Sequence, residues 1–223
     1  MKRYSGSNRP TGASPPPGPA KISLLSPTLL YVAAVGLAVA GVIGWLTLTQ
    51  PGSQGPSGTV SDVIGGPFHL TDQNGARVDQ SILKGHWTAV FFGYVSCPDV
   101  CPATLQALGA AQTRMGSDGE NLHEVFISVD PARDTPAQLK AWIDQPGFPR
   151  HVTALTGSPS EIAAVARAYR IFYQKENKPV DYRVDHTAAI FLMNPQGRFV
   201  TPLSYEMGPE KLARDISTAM HGG

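Results

Sequence analysis

The chain has 223 residues, 16% of them charged, and a formal net charge of +1 at neutral pH, which is room for one ordinary globular domain once non-globular segments are set aside. The charge is unevenly spread: Lys2, Arg3, Arg9 and Lys21 stand before the first acid, leaving fourteen basic residues against all seventeen acidic ones in the rest. That larger part, with a net charge near −3, excludes the basic face a nucleic-acid-binding protein needs.

Residues 1–28 hold those four bases and the run Thr11-Gly12-Ala13-Ser14-Pro15-Pro16-Pro17-Gly18-Pro19, with too little apolar surface to fold; they are expected to be a disordered cytoplasmic tail. Residues 29–48 are uncharged and, at 1.5 Å per residue, long enough to cross a hydrocarbon core of about 30 Å. A cleaved signal peptide is the rival reading. Its apolar core is usually about 7–15 residues, whereas this run is longer and closes with Trp45, a residue suited to the membrane interface, so an uncleaved anchor is favoured. All the bases before Arg77 lie N-terminal to the span, and the positive-inside rule then places the N-terminus in the cytoplasm and the remainder outside, as in a bacterial inner membrane facing the periplasm. Gly36, Ala40 and Gly44 repeat at four-residue spacing, a pattern that can pack two spans into a weak homodimer. Residues 49–60, rich in Pro, Gly and Ser, read as a flexible linker, and residues 61–221 as the folded domain.

Within that domain, Phe68-His69-Leu70-Thr71 and Arg77-Val78 predict a hairpin closed at Asn74-Gly75. Thr88 to Tyr94 is an apolar and aromatic run expected as a buried strand, and Ala103 to Met115 a helix with Leu105 and Leu108 on one face. His123 to Asp130 predicts the next strand, and Asp134-Thr135-Pro136 the N-cap and first turn of a helix through Leu139, Trp142 and Ile143, with Asp134 read mainly as a helix cap. A strand over Val152 to Thr156, a helix over Ser160 to Tyr169, a strand over Ala188 to Asn194 turned at Asn194-Pro195-Gln196-Gly197, and an amphipathic helix over Pro209 to Met220 complete the set. Strands alternating with helices indicate an α/β sandwich on a mixed sheet, and the element order is that of a thioredoxin-like fold.

The only two cysteines, Cys97 and Cys101, stand at the turn from the buried strand into the first helix, four apart and each followed by a proline. A helix N-terminus favours thiolate over thiol. In a thioredoxin-like fold the loop before the closing hairpin faces this turn; here it reads Val184-Asp185-His186-Thr187, with a histidine where thioredoxins carry a cis-proline. Two thiols one turn apart can share a metal ion or form a structural disulfide, and His186 can be a ligand or a hydrogen-bonded rim residue. Soft thiolates with one imidazole suit copper, as Cu(I) or Cu(II), better than a structural zinc, which wants four ligands. His69, His86, His123, His151 and His221 have no partner at ligand spacing and are expected as surface or core residues.

Three stretches, Gly93-Tyr94-x-x-Cys97-Pro98-Asp99-Val100-Cys101-Pro102, Ser128-Val129-Asp130-Pro131-x-Arg133-Asp134-Thr135-Pro136 and Val184-Asp185-His186-Thr187, resemble the signatures of the Sco/SenC family, in family order over roughly residues 60–220. The resemblance implies a membrane-anchored copper chaperone of thioredoxin-like fold rather than an enzyme, taking copper from an upstream donor. It implies copper ligation by Cys97, Cys101 and His186, and assembly of the binuclear copper centre in cytochrome c oxidase subunit II. A thiol:disulfide oxidoreductase that keeps the partner's cysteines reduced is the second reading, set against a three-residue Cys spacer and no proline. A thiol peroxidase is discounted, because its Pro-x-x-x-Thr-x-x-Cys pattern is absent.

Overall fold

The computed structural model describes residues 27–48 and 64–222; the expected tail before Pro27 and the linker lie outside the described residues. The chain divides into two units, Met1–Gly55 and Pro56–Gly223. In the first, α1 spans Pro27–Leu48. Among the described residues no helix is long and apolar enough to cross a membrane, and several side chains of α1 lie outside that description, so the anchor rests on the uncharged run in the sequence alone.

The second unit is built on a seven-stranded mixed sheet in the order β2-β1-β5-β4-β3-β8-β9. Its hairpin pairs β1 (His69–Asp72) with β2 (Arg77–Asp79), and Gly75 takes the positive φ of 82° that the turn requires. Next come β3 (Trp87–Gly93), α2 (Val100–Met115), β4 (Leu122–Ser128), α3 (Pro136–Ile143), β5 (Val152–Thr156) and α4 (Pro159–Ala168). A separate ribbon of β6 (Tyr173–Lys175) and β7 (Val184–His186) precedes β8 (Ala189–Met193), β9 (Phe199–Ser204) and α5 (Pro209–His221).

Strands β3, β4 and β5 run parallel, and β8 closes antiparallel on β3. A strand covered on both faces can be apolar throughout, which is why β3 shows no polar alternation. Val90 and Phe92 face one core with Ile162, Val165 and Tyr169 of the α4 side, while Ala89 and Phe91 face the other with Leu105 and Leu108 of α2, Trp142 of α3 and Leu212 of α5. Each face is sealed by at least one helix. The thioredoxin-like architecture expected from the element order is therefore present.

Three local expectations need correction. Helix α2 starts at Val100 rather than Ala103, so Cys101 lies inside its first turn, while Cys97 remains in the preceding loop. Thr135, not Asp134, caps α3: its hydroxyl accepts from the Gln138 N–H and the Gln138 side chain returns to the Thr135 N–H, a full capping box. The β6–β7 ribbon has no counterpart in the sequence reading, and it carries His186.

Candidate metal centre

The parallel strands β3 and β4 deliver two loops to one edge of the sheet, stitched where the Val129 N–H donates to the Gly93 carbonyl at 2.8 Å. The first loop turns tightly, with the Cys97 N–H donating to the Tyr94 carbonyl at 3.1 Å, and enters α2. Cys101 is fully buried and Cys97 partly exposed; both are free thiols. Gly93 makes this packing feasible, because a Cβ there would stand 2.7 Å from Cys101 Sγ and 2.8 Å from Phe126 Cε2.

The second loop is the scaffold of the first. Asp134, read from sequence as a cap, is buried, and its Oδ2 accepts from the Val95 N–H at 3.0 Å and from the Ser128 hydroxyl at 2.6 Å. It thereby ties down the turn that presents Cys97. Asp130, also buried, accepts from the Tyr182 hydroxyl at 2.8 Å and forms an ion pair with Arg133. The Arg133 guanidinium lies 3.6 Å from the centre of the Tyr182 ring. Tyr182 leads directly into β7, so this latch holds the ribbon that carries His186. The sequence placed all three residues in a motif but gave no signal of the tyrosine.

His186 closes the site from the other side. Its Nδ1 is 3.2 Å from the Thr187 carbonyl, which can only accept, so Nδ1 carries the proton and Nε2 offers its lone pair. That Nε2 lies 3.8 Å from Cys101 Sγ. An ion held at 120° by bonds of the length found at zinc, about 2.3 Å to sulfur and 2.0 Å to nitrogen, would separate the two atoms by roughly 3.7 Å. Among the described residues no group of three or more His, Cys, Asp or Glu already stands in metal-ligand geometry. Closing this triad on an ion therefore calls for side-chain rotation. Tyr94 meets the His186 ring edge-on at 6.0 Å, and the cleft opens to solvent beside Pro98, Asp185 and Tyr205.

The thiols are inequivalent. A hydrogen bond from the Cys101 S–H, opposed by burial and aided by the Cys101 and Asp99 backbone, holds the Cys97 thiol well below the usual thiol range. Cys101 is pushed up, because it donates to Cys97, is buried and faces that neighbour's charge. The helix N-terminus therefore favours one thiolate, not two. Because the folded pKa of Cys97 is depressed, its stabilising contribution is full above about pH 8.5 and shrinks as pH falls towards the folded value. Iodoacetamide is expected to label Cys97 alone, at a rate nearly flat between about pH 6 and 8, where an ordinary thiol gains about tenfold per pH unit. A tenfold rise per unit, or equal labelling of Cys101, would contradict this, and peptide mass mapping reads both.

The latch gives a second expectation. Tyr182→Phe should leave the dithiol in place but loosen the ribbon, raising the off-rate of an ion bound there by about 10-fold, the lower end of what losing a supporting partner costs. Stopped-flow transfer to a chelator measures it; an unchanged off-rate would mean that packing alone holds the ribbon.

Residues 57–221 match the family model SCO1/SenC. A mitochondrial SCO1 homologue of Arabidopsis thaliana is 44% identical over 149 residues, covering 66% of this chain and 44% of its own length, so the chain spans less than half of that relative. Among solved structures, Bradyrhizobium japonicum ScoI with copper bound is 46% identical with a TM-score of 0.63, covering 70% of this chain and 99% of that one. BsSco, described as having a disulfide switch and as a member of the Sco family of cytochrome c oxidase assembly proteins, is 25% identical with a TM-score of 0.58, covering 71% of this chain and 94% of that one.

Proposed function

The chain belongs to the SCO1/SenC family, and from that premise we propose that it is a copper-delivery protein whose cargo ion is held by Cys97, Cys101 and His186. The observation that carries the reading is the 3.8 Å approach of His186 Nε2, its tautomer set by Thr187, to a buried thiol paired with a thiolate. Copper-bound Bradyrhizobium japonicum ScoI supports the choice of ion. Thiolates favour Cu(I) and imidazole serves either oxidation state. The Cys101 proton must leave as the ion enters, so uptake releases protons.

The recipient is the binuclear copper centre of cytochrome c oxidase subunit II, reached by ligand exchange at the open side of the cleft, with an upstream donor loading the site. The uncharged run at 29–48 anchors the protein to a bacterial inner membrane with the copper domain in the periplasm. Cu(I)-loaded full chain, mixed anaerobically with the metal-free copper domain of subunit II, should lose its copper to that domain. Copper left on the chain would overturn the delivery role.

A second reading has its own observation. A thiolate at Cys97 beside a protonated, buried Cys101 suits disulfide exchange: Cys97 attacks one sulfur of a partner disulfide, the other leaves as thiolate, and Cys101 then attacks Cys97 to release the reduced partner. Turnover of the partner's oxidised copper-site cysteines in metal-free buffer with added dithiol supports it. No turnover would leave delivery alone.

A further inference from the structure

At the end of the sheet opposite the cysteine loop, His86 just before β3, His123 on β4 and His151 just before β5 stand side by side on three neighbouring strands. The register places Thr88 against His123 and Glu124 against Val152, so all three imidazoles share one face. The rings of His86 and His123 stack with centroids 3.7 Å apart, and those of His123 and His151 with centroids 5.0 Å apart. Sequence spacing, which had left these histidines unpartnered, could not show a juxtaposition made only by strand pairing.

We infer that this histidine row is a second metal site, binding one borderline divalent ion of the Cu(II) or Zn(II) class independently of the dithiol. Imidazole is the common ligand for such ions. His151 Nε2 lies 4.0 Å from Glu120, which pairs with Arg150 and can orient the ring. Burial and the two neighbouring imidazoles hold His123 at about 4, and burial lowers His86, so protons do not compete for these nitrogens at neutral pH. The rings meet face to face, and binding requires them to turn until their nitrogen edges converge; His151, 44% exposed, has room to do so.

The test is a Cu(II) titration of the detergent-solubilised full chain carrying Cys97→Ser, Cys101→Ser and His186→Ala, followed by electron paramagnetic resonance. One equivalent is expected, with nitrogen superhyperfine structure and no thiolate-to-copper absorption. Adding His123→Gln should weaken it by at least about 100-fold, beyond what loss of an outer-shell partner costs. The exposed position makes His151→Gln the companion variant that keeps the fold, checked by its melting temperature, and it too should weaken binding. No stoichiometric binding in the dithiol-free chain, or binding indifferent to His123 and His151, overturns the inference.

Discussion

Gly93→Ala is expected to lower the melting temperature by about 2–12 °C, from an overpacking cost of about 1–3 kcal/mol at roughly 2–4 °C per kcal/mol in a domain of this size. The added methyl would sit 2.7 Å from Cys101 Sγ and 2.8 Å from Phe126, distances that real Cβ atoms do not hold. Neither neighbour can give way. Phe126 is fully buried and packs on Phe91 and Trp142, while Cys101 is fully buried in the first turn of α2. The strain therefore falls on the thiol, and copper affinity should drop with stability. Calorimetry and a chelator competition on the same sample measure both. A variant with unchanged melting and unchanged affinity would show that α2 can slide off the end of β3.

Asp134→Ala is the second large effect. The Val95 N–H and the Ser128 hydroxyl would lose their acceptor beside a buried loop. Stranded donors cost about 1–3 kcal/mol each, so a loss of about 2–6 kcal/mol in urea unfolding is expected for the two. The loop that presents Cys97 would lose its tie to the second loop. Asp134→Asn should fall between Asp134→Ala and the unaltered chain, since its amide oxygen can accept both contacts made by Oδ2 but without the carboxylate's charge. A loss below about 0.5 kcal/mol, with copper binding intact, would show that the two loops hold together without the Asp134 carboxylate.

Much of the fold was legible because local chemistry and global need coincide. Asn74-Gly75 supplied the turn that the hairpin uses, and the run from Thr88 to Tyr94 is apolar because helices cover both of its faces. The cysteines were legible as a pair and His186 by its place before a strand. Other parts depend on contacts that pattern does not encode. Each strand of the β6–β7 ribbon is three residues long, too short for alternation to register. Asp134 and Thr135 are both good caps, and the deciding signal was Gln138, which completes a capping box with Thr135 and frees Asp134 for the interior. Tyr182 lies far along the chain from Asp130 and meets it only once the ribbon folds over.

These positions share one logic. Gly93, Asp134 and Tyr182 each hold a different wall of the cleft: the helix that bears Cys101, the turn that bears Cys97, and the ribbon that bears His186. The walls come from distant parts of the sequence. A site assembled in this way leaves an open mouth, which suits the ligand exchange proposed for it.

The most direct measurement is an anaerobic copper titration of the reduced full chain beside its Cys97→Ala, Cys101→Ala and His186→Ala forms, read through the thiolate-to-copper absorption of the Cu(II) state and through Cu(I) chelator competition. One tightly held equivalent with the thiolate band, abolished by either cysteine change and weakened by His186→Ala more for Cu(II) than for Cu(I), is the predicted result. Equal, tight affinity in all four proteins, or no thiolate band in the unaltered chain, would contradict the assignment of Cys97, Cys101 and His186 as the copper site.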